Sequence, residues 1–172
     1  LSLVFVFLAW WLFAAGDFIL GLAAAWAMTF LDTVDGKLAR VTLTSSKFGD
    51  VLDHGIDLLH PPFWYVAWWQ GLPDGSPMLG AAIWIVVVGY LLGRAIEGWF
   101  IWRFKIEIHA WRRIDSWFRL ITARRNPNLI LLTVAAIAGW PDFGLVAVGA
   151  WTVLSLLFHI VRSGQAEAAK QR

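Results

Sequence analysis

The chain is interrupted again and again by apolar runs too long for a soluble domain, and this limits its fold more than any other feature. Cut at its polar and Gly/Pro clusters, it divides into apolar segments at about 1 to 15, 18 to 40, 49 to 70, 79 to 103, 127 to 140 and 143 to 162. Several approach or exceed the roughly 18 residues that mark a bilayer-crossing helix. Only 15% of the 172 residues are charged, against roughly 25% in an average soluble domain. An ordinary soluble enzyme is excluded. The expectation is an all-α integral membrane protein of one domain, residues 1–172, with six transmembrane helices. Leu1 lies inside an apolar run and reads as a trimmed start, and residues 163–172 read as a frayed polar tail. The fifth segment has only a short apolar run, Leu129 to Trp140, and is expected to begin near Arg119 and bend at Pro127. The absence of cysteine excludes disulfides, thiolate-bound zinc and a thiol nucleophile.

Charge placement orients the helices. Every Lys and Arg except Arg94 falls in or beside the loops near 41 to 48 and 104 to 126, or in the carboxy-terminal tail. The opposite turns, at Gly16-Asp17, Pro73-Asp74-Gly75 and Pro141-Asp142, hold no basic residue. Basic loops are retained inside, so both termini and the basic loops are expected on the cytoplasmic side of a cytoplasmic (inner) membrane. Between Phe104 and Arg125 the pattern changes: Trp111, Ile114, Phe118 and Ile121 recur at helical spacing among Arg112, Arg113, Asp115 and Arg119. That periodicity predicts an interfacial amphipathic helix in the headgroup layer.

Five of the twelve acidic residues, Asp32, Asp35, Asp50, Asp53 and Asp57, crowd the facing ends of two apolar helices. A carboxylate near hydrocarbon is costly unless paired or bound to a cation, and marks function by default. Asp32 and Asp35 are spaced i,i+3 and Asp53 and Asp57 i,i+4, so each pair shares one helix face. The short connection Val41 to Phe48 makes the helices antiparallel and brings the pairs together. Four carboxylates on hard oxygen donors select Mg²⁺ or Mn²⁺, two ions balancing the charge. The simpler alternative is a set of interfacial aspartates paired with Lys37, Arg40 and Lys47. Against it stand Gly36, Ala39 and Gly49, whose lack of bulk lets a ligand or a facing backbone come close.

Asp32-x-x-Asp35-Gly36-x-x-Ala39-Arg40, eight residues, then Gly49-x-x-x-Asp53-x-x-x-Asp57 resembles the signature of the CDP-alcohol phosphatidyltransferase family at every fixed position. Eight fixed residues would coincide by chance in such a chain on the order of once in 10⁸. The resemblance implies transfer of a substituted phosphoryl group from a CDP-alcohol to an acceptor hydroxyl, with release of CMP, in phospholipid or polar-lipid synthesis. By position it implies that Asp32, Asp35, Asp53 and Asp57 hold the metals and that Asp57 also serves as base. Gly36, Ala39 and Gly49 would line the cytidine and diphosphate pocket, and Arg40 would contact phosphate. The expected partners are a CDP-alcohol donor, a hydroxyl acceptor and the lipid bilayer; a homodimer is left open and nucleic acid is not expected.

Weaker signals surround this motif. Arg94 and Glu97, three residues apart in the fourth span, are expected to pair, or else Arg94 faces a polar cavity. Arg124 and Arg125 lie on the side of the aspartates and serve either orientation or capture of an anionic acceptor. His60, followed by Pro61 and Pro62, reads as structural. Family members that use inositol phosphates carry Arg directly after the fourth aspartate; Leu58 stands there and disfavours that acceptor, while Asp53-His54-Gly55-x-Asp57 resembles the aminoalcohol phosphotransferase branch. The competing class is a non-catalytic membrane cation-binding or transport module. Its ion site would be expected near the bilayer midplane, and these aspartates lie toward the cytoplasmic ends.

Overall fold

The computed structural model describes residues 2–42, 47–73 and 77–170, and for residues 36, 38–42, 47–54 and 56–58 the backbone alone. The described residues form helices and no strands: α1 Ser2–Ala14, α2 Phe18–Thr42, α3 Lys47–Gly71, α4 Pro77–Phe104, a single 3₁₀ turn Ile108–Ala110, α5 Arg113–Phe118, α6 Arg125–Ile137 and α7 Pro141–Lys170. Pro77 and Pro141 open α4 and α7, where a missing N–H removes nothing the helix would have used. The apolar segments read from the sequence thus correspond to α1, α2, α3, α4, α6 and α7.

Among the described residues, three stretches are long and apolar enough to cross a membrane: Phe18–Asp35 in α2, Pro77–Phe104 and Pro141–Lys170. Helices α1 and α6 have 13 residues each, about 20 Å at 1.5 Å per residue, short of a hydrocarbon core of roughly 30 Å. Helix α3 has the length, 25 residues, but carries Lys47, Asp50, Asp53 and Asp57 in its first half. Among the described residues, three of the six expected spans thus meet the length and composition of a bilayer-crossing helix. The outer surface suits lipid: Phe7, Trp84, Trp102 and Ile137 are each more than half exposed, as expected where the surrounding solvent is itself apolar.

Helix α1 packs against α2 and α3, while α7 packs against α4 and α6. The turn between α1 and α2 passes through Gly16 at φ +82, a left-handed conformation that side chains resist. The end of α3 presses onto that turn: a Cβ on Gly71 would stand 2.0 Å from the Phe13 carbonyl oxygen. The core beside this contact is aromatic, with Phe13 centred 5.1 Å from Trp68 and 6.2 Å from Trp64. Each indole N–H in it finds a carbonyl, Trp64 donating to Val6 (3.0 Å) and Trp68 to Pro141 (2.9 Å), as buried indoles require.

The expected amphipathic helix between Phe104 and Arg125 does not form as one element. Lys105 adopts φ 61 at the end of α4, and the chain then folds into an elbow of the 3₁₀ turn, the six-residue α5 and a series of turns. The cause is Asp115, only 1% exposed. Its carboxylate accepts two hydrogen bonds from the Arg162 guanidinium of α7, at 2.5 and 2.8 Å, and one from the Arg112 N–H at 3.1 Å. A buried carboxylate needs such partners, and reaching Arg162 bends the segment around α7. The apolar stripe divides accordingly. Ile114, Trp117, Leu120 and Ile121 are exposed, while Phe118 stacks on Phe158 at 3.8 Å.

Two smaller expectations also change. Helix α6 starts at Arg125, so Pro127 lies in its first turn, where the helix needs no N–H from it; the helix neither begins near Arg119 nor bends there. Within the described residues the tail is helical, since α7 runs on to Lys170 with Ser163 and Ala166 buried. Glu167 accepts from Arg103 at 2.6 Å and ties this last stretch to α4.

Candidate functional site

At the end of α2, Asp32 and Asp35 stand one helical turn apart, Asp35 exposed and Asp32 with a side chain only 17% exposed. Asp32 Oδ2 accepts a hydrogen bond from Arg125 Nη2 at 2.9 Å. The partner comes from α6, 93 positions away. The backbone is helical through Gly36, Ala39 and Arg40 of α2 and through Gly49, Asp53 and Asp57 of α3; the side chains of these six lie outside the described residues. A divalent ion fits what is described of this set. The donors are hard carboxylate oxygens, and the half-buried Asp32 already has a cationic group, a guanidinium, as its partner.

Arg125 also ties this end to α3. Its Nη1 lies 3.4 Å from His60 Nε2, and His60 is buried, its ring edge-on to Trp64 at 4.8 Å. The sequence reading treated His60 as structural; here it touches the arginine that holds Asp32. Helix α3 continues through Pro61 and Pro62, and Pro61 forms part of the wall of the neighbouring cleft.

That cleft, about 440 Å³, is lined by Pro61 of α3, Tyr90 and Arg94 of α4, Arg119, Leu120 and Arg124 of the elbow, and Arg125, Asn126 and Pro127 of α6. Four guanidiniums around one opening suit an anion, since each presents planar, bidentate donors to phosphate or carboxylate. Arg94, Arg124 and Arg125, for which acceptor binding was one of two readings of the sequence, all line it. The expected Arg94–Glu97 pair is also present, with Nη2 2.8 Å from Oε1 and 2.7 Å from Oε2. For Arg94 the two readings of the sequence therefore hold together.

Glu97 does more than the sequence revealed. Its Oε1 also accepts from Arg124 Nη2 at 2.8 Å, and the same Nη2 lies 2.9 Å from His109 Nε2. His159 of α7 packs edge-on against His109 at 5.3 Å. Ligating atoms of Glu97, His109 and His159 all lie within 4.8 Å of one another; the guanidinium of Arg124 is the cation seated on two of them. Nothing in the sequence foretold this group, because its members come from α4, the elbow and α7 with no fixed spacing.

The carboxylate motif and the arginine cleft thus meet at the Asp32–Arg125 contact. The profile of the CDP-alcohol phosphatidyltransferase family matches residues 1–161 of the chain, a stretch that contains the motif, the cleft and the helices carrying them. No curated protein and no solved structure matches the chain. Members of this family are membrane-embedded, act on CDP-alcohols and use divalent metal ions. With nearly its whole length matched, this membrane-embedded helical chain belongs to the CDP-alcohol phosphatidyltransferase family.

Proposed function

We propose that the chain moves a substituted phosphoryl group from a CDP-alcohol to the hydroxyl of an anionic acceptor, releasing CMP, in polar-lipid synthesis. The observation that carries this reading is the contact between Asp32 of the motif and Arg125 of the four-arginine cleft, at 2.9 Å. On this reading the donor motif and the anion-binding cleft would lie side by side. Asp32, Asp35, Asp53 and Asp57 would hold two Mg²⁺ or Mn²⁺ ions, which supply charge neutralisation on the diphosphate when bound. Gly36, Ala39 and Gly49 leave room for the cytidine and diphosphate, and Arg40 grips a phosphate oxygen. Asp57 takes the proton of the acceptor hydroxyl as its oxygen bonds to the donor phosphorus and the bond from that phosphorus to the CMP oxygen breaks in line. Arg94, Arg124 and Arg125 bind the acceptor's negative charge. That favours an anionic acceptor over the neutral one expected for the aminoalcohol branch.

The test is CMP release by the purified protein in lipid nanodiscs with Mg²⁺, CDP-alcohols being crossed with neutral and phosphate-bearing acceptors. CMP should appear only when donor and acceptor are both present, and faster with a phosphate-bearing acceptor. Saturable Mg²⁺ binding without CMP from any pair would instead support an ion-binding module. The basic-residue asymmetry supports a site facing the cytoplasm. The chain contains no cysteine, so cysteines introduced singly at Lys37 and Asp142 report this directly: an impermeant reagent should label the first only from inside and the second only from outside. The reverse pattern would overturn the orientation.

A further inference from the structure

Arg94 and Arg124 reach the cleft from different elements, α4 and the elbow, and like charges brought together repel. One carboxylate stands between them. Glu97 accepts from Arg94 Nη2 and from Arg124 Nη2, both at 2.8 Å on Oε1, and its side chain is only 12% exposed. The ion pairs are thus largely shielded from water, where they are stronger than at a surface. A second clamp holds Arg124: Nη2 donates to His109 Nε2 at 2.9 Å. A guanidinium has no lone pair to offer. In this contact Nε2 of His109 is therefore the acceptor, and the same nitrogen also lies 3.4 Å from Glu97 Oε1.

The backbone that carries these groups is fixed independently of them. The Ala123 N–H donates to Ser155 Oγ at 3.0 Å and Trp151 Nε1 to the Ile121 carbonyl at 2.6 Å, so the approach to Arg124 is fastened to α7. Ser116 Oγ donates to the His109 carbonyl at 2.8 Å. Removing the Glu97 charge should release two side chains while leaving the elbow in place. Glu97 does not itself line the 440 Å³ cleft; it acts through residues that do.

We propose that Glu97, with His109 as its second clamp, is the positioning residue of the cleft: it holds Arg94 and Arg124 in the spacing that grips a phosphate group and thereby sets acceptor affinity. This rests on the reading of the cleft as the acceptor's anion site. In that role Glu97 makes no contact with the reacting atoms, so its removal moves KM for the acceptor and leaves kcat and the donor KM essentially unchanged.

The experiment measures steady-state kinetics in nanodiscs for the unaltered protein, Glu97→Gln and Glu97→Asp, with donor and acceptor varied separately and inorganic phosphate as competing anion. Glu97→Gln should raise acceptor KM and weaken phosphate inhibition by about ten- to hundredfold, as expected when hydrogen bonds to a charged group lose that charge. Glu97→Asp should recover part of the loss. Should Glu97→Gln fail to fold, His109→Phe, which keeps a ring and removes the acceptor nitrogen, should show the same split at about three- to tenfold. A fall in kcat at unchanged acceptor KM and unchanged phosphate inhibition would overturn the proposal. The cleft reading fails differently: Arg94→Ala and Arg125→Ala would then leave acceptor KM and phosphate inhibition where they were.

Discussion

At the carboxylate end of α2, Asp32 and Asp35 stand one turn apart on a single element, whereas in the cleft beside them Arg94, Arg119, Arg124 and Arg125 arrive from α4, the elbow and α6. The first arrangement is written in local spacing. The second exists only after the helices pack, and its charges are held by half-buried partners, Glu97 for two of the arginines and Asp32 for a third. The difference teaches where specificity resides in a chain of this kind. On the reading proposed above, the compact motif would carry the chemistry and the dispersed set of cations would select what it acts on.

If the two ends divide labour in this way, perturbations should separate them. The largest effect belongs to the metals. Excess EDTA, or Asp32→Asn or Asp35→Asn, should cut turnover by about 10³-fold or more while circular dichroism shows the helices intact, since several kcal/mol of transition-state stabilisation are removed at about 1.4 kcal/mol per tenfold. Full turnover in EDTA would break the comparison at its donor end. Next comes Asp57→Asn, expected to slow turnover by about 10² to 10⁴ with donor affinity retained, the size of a general-base contribution. Loss of donor affinity at normal saturating turnover would make Asp57 a ligand and not the base.

Arg40→Ala should raise donor KM by about ten- to hundredfold and leave acceptor KM alone, the mirror image of the Glu97 variants. A rise in both constants would show that the two ends are one site. The smallest effect is expected at the rim. Arg119 reaches Glu107 only at 3.6 Å, with both side chains more than half exposed, and such pairs are worth about 0 to 1 kcal/mol. Glu107→Gln should therefore change acceptor KM by less than about fivefold; a larger change would extend the site onto the elbow's surface.

The positions of the long helices followed from apolar run length, and the Arg94–Glu97 pair from i,i+3 spacing, because both depend on residues close in sequence. The elbow did not follow. Trp111, Ile114, Phe118 and Ile121 have the period of a helix, but Phe118 turns inward onto Phe158 and Asp115 onto Arg162. Those partners lie on α7, which no local period encodes. Asp32 shows the same limit: nearby Lys37 is the obvious counter-ion in the sequence and is exposed, while Arg125 supplies the bond. His60 read as structural for a similar reason, since its contact with Arg125 spans 65 positions.

The clasp between Asp115 and Arg162 has a consequence for biogenesis. It joins residues 47 positions apart, and a chain is made from its amino end, so Asp115 is made before Arg162, its partner on α7. Contacts of such long separation form late in folding. The segment carrying Arg119 and Arg124 stays unfastened until α7 inserts and delivers Arg162, Ser155 and Trp151 to it. On the proposed reading, the acceptor cleft would take its final form only when α7 docks against the elbow.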